Sequence, residues 1–495
     1  MVENMSNHKE YRLYIDGEWV DSATDETFPS DNPANPKQIL GIFQKGNKDD
    51  AEKAVEAAEK ASEKWSDTPA PKRGLILSKA AQLLRDKKEE LAKEMTVEMG
   101  KILKESRGDV QEAIDITEYM AGEGRRLIGF TTPSELRKKF CMTIRLPVGI
   151  CGLITPWNFP MAIPAWKIMT ALICGNTVVF KPSSDTPLLA TRLVETLEKA
   201  GLPKGVLNMV TGPGEDVGMT IVRHKKIRAI SFTGHRDTGA AILREAGLKR
   251  VGLEMGGKNG IIVMDDADLT LALDGVIWGG YGTTGQRCTA ASRVIVHEKI
   301  KSKFERIMIN RIKKLKIGDG LKPHTNIGPL INKAAQDKSA RYVEIGHREG
   351  AKLLAGGKIP KMKGFFFEPT LFTDCTIDMR IAQEEIFGPV ISIIPVKNFD
   401  EAIDAINSVE YGLSSAIYTR DIDKAFDAMM KIEAGITYIN SSTIGAEVHL
   451  PFGGIKHTGI GTREAGIEGI NEFSETKTVY IDYSGKLQRA QIDLD

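Results

Sequence analysis

Short, almost wholly apolar segments alternate with helical segments between residues 148 and 264, and this alternation restricts the fold more than any other feature of the chain. The segment 188–200 is one of the helical ones. The apolar segments are residues 177–180, 206–210, 229–232 and 261–264. Strands that are apolar on both sides and alternate with helices form parallel sheets buried on both faces. We therefore predict a mostly parallel α/β sheet covered by helices on both sides.

A second series of the same kind follows residue 288. Its predicted strands are residues 293–296, 391–396, 416–418 and 436–439. A chain of 495 residues is too long for one ordinary hydrophobic core. We therefore expect two α/β domains, with the break near Glu254.

The charge balance gives no electrostatic reason to expect nucleic acid or an anionic membrane as a partner. The chain has 67 basic and 66 acidic residues, a net charge of +1. Residues 146–166 carry no charge and are long enough to cross a bilayer. Four prolines in that stretch would break a helix repeatedly, so we interpret it as buried loop and strand.

The cysteines indicate a reduced, cytoplasmic protein. There are five, an odd number, and no two have the spacing of a CxxC metal or redox motif. We therefore expect neither a disulfide framework nor a bound metal. Residues 1–8 lack the apolar stretch of a signal peptide.

Two short motifs combine a thiol with a carboxylate. One is Leu253-Glu254-Met255-Gly256-Gly257, and the other is Gly285-Gln286-Arg287-Cys288. A lone cysteine is more often an inert core residue than a nucleophile, and a lone glutamate is usually a solvated surface charge. We interpret Cys141, Cys151, Cys174 and Cys375 in that way. Cys288 differs because glycines precede it and a glycine-flanked glutamate accompanies it.

Both motifs, and the spacing between them, resemble those of the aldehyde dehydrogenase superfamily, and the likeness extends from about residue 11 to residue 480. The resemblance implies two Rossmann-like α/β domains, one binding the cofactor and one catalytic, plus a small β oligomerisation flap. The corresponding bounds are residues 8–122 and 145–254 for the cofactor domain, 255–457 for the catalytic domain, and 123–144 and 478–495 for the oligomerisation segments.

The resemblance also implies the catalytic residues. Cys288 would attack an aldehyde as a thiolate, and Glu254 would activate the water that hydrolyses the resulting thioester. Asn158, in an apolar run, would donate to the oxyanion, and Lys167 would support the site or relay protons. Family members that pass the acyl group to coenzyme A tend to lack the glutamate, so Glu254 favours release of a free acid.

The cofactor implied is NADP or NAD. Two glycine-containing turns join a predicted strand to a helix, where unpaired N–H groups favour phosphate. A near miss of the GxGxxG pattern contains Gly214, which also suits an ordinary turn. The residues that match family positions around the dinucleotide are Thr155, Pro156, Trp157, Lys181, Ser183, Ser184, Gly214, Phe232, Thr233, Gly234, His235, Glu385 and Phe387.

Ser184 favours NADP over NAD. Members of the family that prefer NAD often carry a glutamate at this position, which repels a 2′-phosphate, and this chain lacks that carboxylate. His235 and Arg236 either bring positive charge to a phosphate or face solvent, and we favour the latter.

The aldehyde is less well specified. Residues 447–450 are a polar mixture, which suits a small polar or sugar-derived aldehyde or a semialdehyde. Arg287 could pair with an anionic substrate, but we favour a structural arginine that points away. The alternatives are a non-catalytic structural or binding protein on the same fold and a cofactor-independent thiol hydrolase, which would need a histidine base.

Family members assemble as homodimers or homotetramers, and we expect one of these here. The resemblance implies that a strand at residues 138–145 pairs with the C-terminal strand, residues 477–483, of another subunit. Each segment could equally be an ordinary edge strand.

Overall fold

The computed structural model of the chain describes residues 8–492. Up to residue 123 its elements are the strands β1 (Glu10–Tyr11), β2 (Leu13–Ile15), β3 (Glu18–Val20), β4 (Thr27–Asn32) and β5 (Asn35–Gln44), then the helices α1 (Lys48–Ser66), α2 (Ala70–Asp86), α3 (Lys88–Met99) and α4 (Leu103–Glu123). The strands β1, β5 and β4 form a small sheet.

The next part of the chain contains the predicted alternation. Its elements are β6 (Thr131–Thr132), β7 (Lys139–Pro147), β8 (Ile150–Ile154), α5 (Ala162–Ile173), β9 (Thr177–Lys181), α6 (Pro187–Ala200), β10 (Leu207–Met209), α7 (Met219–Arg223), β11 (Ile227–Thr233), α8 (Arg236–Glu245) and β12 (Arg250–Glu254).

The remaining described residues contain the second series. Its elements are β13 (Asn259–Val263), α9 (Leu269–Tyr281), β14 (Ala291–His297), α10 (Glu298–Ile312), α11 (Lys333–Arg348), β15 (Lys352–Ala355), β16 (Thr370–Thr373), α12 (Arg380–Gln383), β17 (Val390–Val396), α13 (Phe399–Asn407), β18 (Tyr411–Gly412), β19 (Ser414–Tyr418), α14 (Ile422–Lys431), β20 (Ile436–Ile439), β21 (Ile455–Lys456), β22 (Gly459–Ile460), α15 (Gly466–Glu472) and β23 (Ser474–Asp482).

The first large sheet has the strand order β22-β12-β11-β8-β9-β10-β2-β3. Its five central strands are parallel, and the edge strands β22, β2 and β3 are antiparallel to their neighbours. Along β9, Val178 and Phe180 lie in one apolar core and Val179 lies in another. Both faces of the sheet are therefore buried, which confirms the predicted parallel α/β architecture.

The second large sheet has the order β15-β16-β17-β14-β13-β19-β20, with all neighbours parallel except β15 and β16. Ile262 and its neighbour Ile261 again lie in different apolar cores. The chain passes from the first sheet to the second between Glu254, the last residue of β12, and Asn259, the first of β13. The structure confirms the two mostly parallel α/β sheets that the sequence predicts. The bounds of the domains remain a prediction.

The third sheet corrects one expectation. The strand β7 pairs antiparallel with β23 of the same chain, from Lys139 opposite Asp482 to Pro147 opposite Ser474, and β6 covers the other edge of β7. The C-terminal strand that pairs with β7 therefore belongs to the same chain, and the prediction that it comes from another subunit is wrong. Residues 1–7 and 493–495, including the end of the predicted segment 478–495, lie outside the described residues.

The uncharged stretch 146–166 differs in part from the prediction. It contains β8 and a buried loop, as expected, but helix α5 begins at Ala162. Pro164 lies in the first turn of this helix, where its missing N–H costs nothing. Across residues 8–492, no helix combines the length and apolarity that crossing a bilayer requires.

Candidate active site

The nucleophile candidate follows a turn of unusual backbone conformation. Thr283 and Thr284 have φ angles of 51° and 57°, and Gly285 has 72°. Left-handed conformations are unfavourable for threonine, so they persist only where other contacts impose them. At Gly285 a Cβ atom would lie 2.3 Å from the carbonyl oxygen of Gly388, which leaves room only for glycine. The turn thus fixes the position of Cys288.

A buried carboxylate from another part of the chain stabilises this turn. Glu105, on α4, accepts the N–H of Thr283 at 2.7 Å. The hydroxyl of Thr284 donates to the carbonyl of Gly328 at 3.0 Å. Sequence reasoning did not identify Glu105, because its partner is far along the chain.

Asn158 lies beside the nucleophile turn, as predicted for an oxyanion donor. Its side-chain nitrogen donates to the carbonyl of Gln286 at 3.0 Å, which leaves its second N–H group for another acceptor. Lys101 donates to the backbone carbonyl of Asn158 at 2.7 Å and to Asp109 at 2.8 Å. Asp109 in turn accepts the N–H of Ala162 at 2.8 Å. Lys101 and Asp109 are a second pair that sequence reasoning missed.

Two cavities meet at Cys288. A cofactor-side cavity of about 230 Å³ is lined by Asn158, Glu385 and Phe387 among others. A substrate-side cavity of about 150 Å³ is lined by Glu254 and several aromatic side chains. Cys288 belongs to both walls. The structure therefore brings the predicted thiol, carboxylate and amide together.

Glu254 is buried at the carboxyl end of β12. A Cβ atom at Gly453 would lie 2.3 Å from Oε1 of Glu254, so the glycine permits a close approach. Among the described residues, Oε2 of Glu254 has no hydrogen-bond partner. Burial, and then the neighbouring Glu464, raise the pKa of Glu254 well above its ordinary value, while Lys167 opposes the shift.

Lys167 is buried, and its ammonium group contacts two side chains. It donates to the hydroxyl of Ser231 at 2.8 Å and is ion-paired with Glu464. Glu464, like Glu254, lines the substrate-side cavity. The lysine therefore acts on Glu254 through its charge. Glu464 was not predicted, since it lies in an ordinary acidic stretch of the sequence.

The surroundings of Cys288 favour the neutral thiol over the thiolate. Burial raises its pKa to about 12, and the carboxylates of Glu385 and Glu254 add to the shift. The attacking thiolate therefore requires that a proton be removed or that a positive charge be brought near the sulfur.

The residues around the cofactor-side cavity fit the nicotinamide half of a dinucleotide. Glu385 is held by the N–H of Gly257 at 3.0 Å, and its carboxylate can bind ribose hydroxyls. Trp157 and Phe387 meet edge to face, with ring centroids 5.5 Å apart, and Pro156 lines the same cavity. The buried hydroxyls of Thr155 and Thr233 have no hydrogen-bond partner among residues 8–492, so a ligand could satisfy them.

Other predicted cofactor residues lie at the carboxyl ends of the first sheet. Lys181 ends β9, and burial lowers its pKa to about 8. Next to it, the hydroxyl of Ser183 accepts the N–H of Asp185 at 3.3 Å, and Ser184 donates to the carbonyl of Gly212 at 3.2 Å. In open α/β sheets ligands bind at this edge.

The two predicted phosphate turns differ. Gly214 faces open space at the start of a short π-helical turn, but Glu215 and Asp216 follow in that turn and disfavour an anion. Phe232 and Thr233 are the last residues of β11, and Gly234 begins the short connection to α8, so the predicted strand-to-helix turn is present.

The two basic residues that follow this turn have different surroundings. His235 lines the cofactor-side cavity and accepts the N–H of Asp237 at 3.3 Å, so that it caps α8. Arg236 is ion-paired with Glu410 at 2.9 Å.

Arg287 does not point away from the site, contrary to our expectation. It lines the substrate-side cavity, and its side chain is only 11% exposed. Its Nε donates to the hydroxyl of Thr283 at 2.8 Å, and Nη2 lies 3.6 Å from Glu105. The guanidinium also stacks over Trp278 at 4.8 Å from the ring centroid. The side chain therefore has a structural role and also faces the cavity.

The cysteines and possible metal ligands are simply described. All five cysteines are free thiols, and those other than Cys288 are buried. Over the part of the chain that the structure covers, no group of three or more His, Cys, Asp or Glu side chains is arranged to hold a metal ion.

Comparison with known proteins places this geometry in context. The family model described as "Aldehyde dehydrogenase family" matches residues 19–479. An alpha-ketoglutarate semialdehyde dehydrogenase of Haloferax volcanii is 43% identical, over 95% of this chain and 98% of its own length. An alpha-ketoglutaric semialdehyde dehydrogenase of Bacillus subtilis is 42% identical, over 95% of this chain and 98% of its own length. A crystal structure of Staphylococcus aureus betaine aldehyde dehydrogenase in complex with NAD+ superposes with a TM-score of 0.94 at 38% identity, covering 97% of this chain and 96% of that one.

Proposed function

The chain belongs to the aldehyde dehydrogenase family, and we propose that it oxidises a short polar aldehyde to the carboxylic acid through a thioester on Cys288, with reduction of NAD(P)+. The observation that carries the mechanism is that Cys288 and Glu254 share one cavity wall, with Asn158 next to the thiol on the cofactor side.

The first step joins the sulfur of Cys288 to the aldehyde carbon after the thiol has passed its proton to water. The carbonyl oxygen becomes an oxyanion, and the free N–H of Asn158 is placed to donate to it. When bound, the oxidised nicotinamide supplies the acceptor for the hydride that leaves this carbon. A thioester on Cys288 results.

The second step releases the acid. Glu254 accepts a proton from a water molecule, the hydroxide attacks the thioester carbon, and the carbon–sulfur bond breaks. Glu254 can act as a base only when ionised, and burial together with Glu464 raises its pKa well above the ordinary value for glutamate. We therefore expect steady turnover to increase with pH, as Glu254 loses its proton.

Variants of the two residues test this mechanism. Glu254→Gln should give a burst of NAD(P)H and then almost no steady turnover, because the thioester forms but is not hydrolysed. Cys288→Ala should give neither, and mass spectrometry should find the acyl adduct on Cys288 only in Glu254→Gln. Unchanged turnover in Glu254→Gln, or the absence of a burst, would contradict the assigned roles.

We propose a semialdehyde with a terminal carboxylate as the substrate class. The Haloferax volcanii and Bacillus subtilis relatives are named for alpha-ketoglutarate semialdehyde, and a Saccharolobus solfataricus relative, 41% identical, for 2,5-dioxopentanoate. In this chain, Arg287 supplies a guanidinium to the cavity wall. A cationic aldehyde is the second candidate, since aromatic side chains such as Phe159, Trp166 and Phe452 line the same cavity.

The cofactor proposal is NADP or NAD, with NADP favoured. No carboxylate occupies position 184, which supports acceptance of a 2′-phosphate, whereas the Staphylococcus aureus neighbour holds NAD+. We further propose a cytoplasmic location, which the five free thiols support.

A cofactor-independent thiol hydrolase is less well supported. His235 does line a cavity with Cys288, but one of its ring nitrogens already caps α8. Product formation without NAD(P)+ would favour this alternative, as would loss of all activity in His235→Ala.

A further inference from the structure

One face of α4 carries three carboxyl groups toward the catalytic centre. Glu105, Asp109 and Glu112 are spaced so that they lie on the same side of the helix. Glu105 binds the nucleophile turn, and Asp109 binds the loop that contains Asn158 and the N-terminus of α5. Glu112 binds neither and lines the substrate-side cavity, together with Cys288.

In the described part of the chain, only two of these three carboxyl groups have a basic side chain within ion-pair distance. Lys101 is 2.8 Å from Asp109, and Arg287 is 3.6 Å from Glu105. Within residues 8–492, Glu112 makes no ion pair and no hydrogen bond. A carboxylate in a half-buried site without its own counter-ion is costly, so Glu112 favours the neutral form.

The charges that face Glu112 lead to the same conclusion. Burial raises its pKa to about 8, and Asp109 and, more weakly, Asp115 on its own helix add to the shift, against Arg287 and Lys101. Glu254 and Glu464 are the other carboxyls of the cavity wall. At neutral pH the Glu112 carboxyl is therefore a hydrogen-bond donor that lacks an acceptor.

We propose that Glu112 is a specificity-determining residue. It donates a hydrogen bond to a carboxylate at the far end of the substrate, and Arg287 binds the same carboxylate. The donors of the cavity wall support this choice of tail. The ring of Trp166 lines the same cavity but its indole nitrogen is buried, so the donors that bear on this choice are Arg287 and Glu112. A carboxylate accepts from both of them, whereas an ammonium group would meet the guanidinium of Arg287 and satisfy neither donor.

The inference rests on the proposed function, because it concerns the same cavity and reaction. Its consequence is a pH-dependent preference. Below a pH of about 8, a protonated Glu112 binds the substrate carboxylate; above it, two carboxylates repel each other.

The test compares an ω-oxo carboxylic acid with an uncharged aldehyde of the same chain length. The quantity is the ratio of their kcat/KM values from pH 6 to 9.5, which cancels the titration of Cys288 and Glu254. In the wild type this ratio should be high at neutral pH and fall by up to about tenfold per pH unit above about 8. Glu112→Gln keeps a donor without an acid, so its ratio should stay high and become independent of pH.

Glu112→Ala removes the donor. Its ratio should fall about tenfold to a hundredfold at neutral pH, the effect of one lost hydrogen bond to a charged group, while activity on the uncharged aldehyde persists and reports that the variant is folded. Glu118→Gln is the matched control, because Glu118 lies on the same helix but pairs with Arg85 at the surface, and it should behave as the wild type.

Three results would overturn the inference while leaving the proposed function intact. They are an unchanged ratio in Glu112→Ala, a ratio in Glu112→Gln that still falls above pH 8, and a wild-type preference for an ω-amino aldehyde. No NAD(P)H from any aldehyde with the wild type would instead reject the proposed function itself.

Discussion

The side chain at position 184 is the residue on which cofactor preference depends most directly. Ser184 is neutral and donates to the carbonyl of Gly212. Ser184→Glu would introduce a carboxylate that repels a 2′-phosphate, so kcat/KM for NADP should fall about tenfold to a hundredfold while that for NAD changes less than about threefold. Ser184→Ala, which removes the hydrogen bond without adding charge, is the control. A wild type with a large preference for NAD would contradict the argument.

The pKa of Cys288 gives a second prediction for a single residue. Because burial and two carboxylates raise this pKa to about 12, iodoacetamide should alkylate the thiol slowly at pH 7, and the rate should rise about tenfold per pH unit up to that pKa. Mass spectrometry of the peptide containing Cys288, in protein without cofactor, measures the rate. Rapid alkylation at neutral pH that does not change with pH would show that the thiol is already ionised.

Some candidate site residues could be proposed from the sequence and others could not, for a physical reason. Cys288, Glu254 and Asn158 lie within short motifs whose neighbours reveal them. Glu105 and Glu464 act on partners 178 and 297 residues away, and nothing beside them in the sequence marks those contacts. For Arg287 the motif gave the position, but only the fold shows that its side chain faces the cavity.

At the scale of elements, α4 organises the catalytic centre. Its buried face connects the turn before Cys288, through Glu105, with the loop that contains Asn158, through Asp109 and the nearby Lys101. Periodic apolar residues identify such a helix in a sequence, whereas buried charges at the same spacing look like an ordinary solvated face. This explains why the sequence did not reveal the role of α4.

Glu105 should therefore act as a positioning residue for the nucleophile. Glu105→Ala removes the acceptor of the Thr283 N–H and should lower kcat about tenfold to a hundredfold, with little change in the KM for NAD(P). Glu105→Gln retains an acceptor and should recover most of kcat. Stopped-flow measurement of the NAD(P)H burst would show whether the loss lies in the acylation step. Equal losses in both variants would mean that the charge, rather than the hydrogen bond, matters.

The strands of both large sheets were predicted more accurately than the pairing in the third sheet, which consists of β6, β7 and β23. Buried parallel strands are continuous apolar runs, which are visible in the sequence, as at residues 177–180 and 391–396. The partner of β7 could not be read in this way, because β23 is mostly exposed and lies more than 300 residues away. Pairing between distant exposed strands leaves little local pattern.

At the scale of the whole molecule, the site lies where the two large sheets meet end to end. Thr155, Lys181 and Glu254 come from the carboxyl ends of strands in the first sheet. Cys288 and Glu385 precede β14 and β17, at the amino ends of strands in the second. Candidate cofactor residues therefore come from both sheets, and the carboxylate of Glu254 and the thiol of Cys288 come from different ones, so the candidate site lies at the boundary between the sheets.

The third sheet, formed by β6, β7 and β23, supports the expectation of a homodimer or homotetramer. Its strand β23 is an edge strand, and Tyr480 and Ile481 on it are 65% and 47% exposed. On the neighbouring β7, Phe140 is 45% exposed. Open, apolar edges of this kind pair with other chains unless they are covered.

Charge on this edge should therefore dissociate the assembly. The double variant Tyr480→Lys, Ile481→Lys should sediment at a lower mass than the wild type, since lysine opposes burial of the edge. Leu75→Lys, at an exposed position of α2, is the matched control and should leave the mass unchanged. Cys288, Glu254 and Asn158 are brought together by contacts within the chain, so the dissociated variant should still reduce NAD(P)+ in the presence of aldehyde. A monomeric wild type, or a variant with unchanged mass, would show that this edge is not the interface.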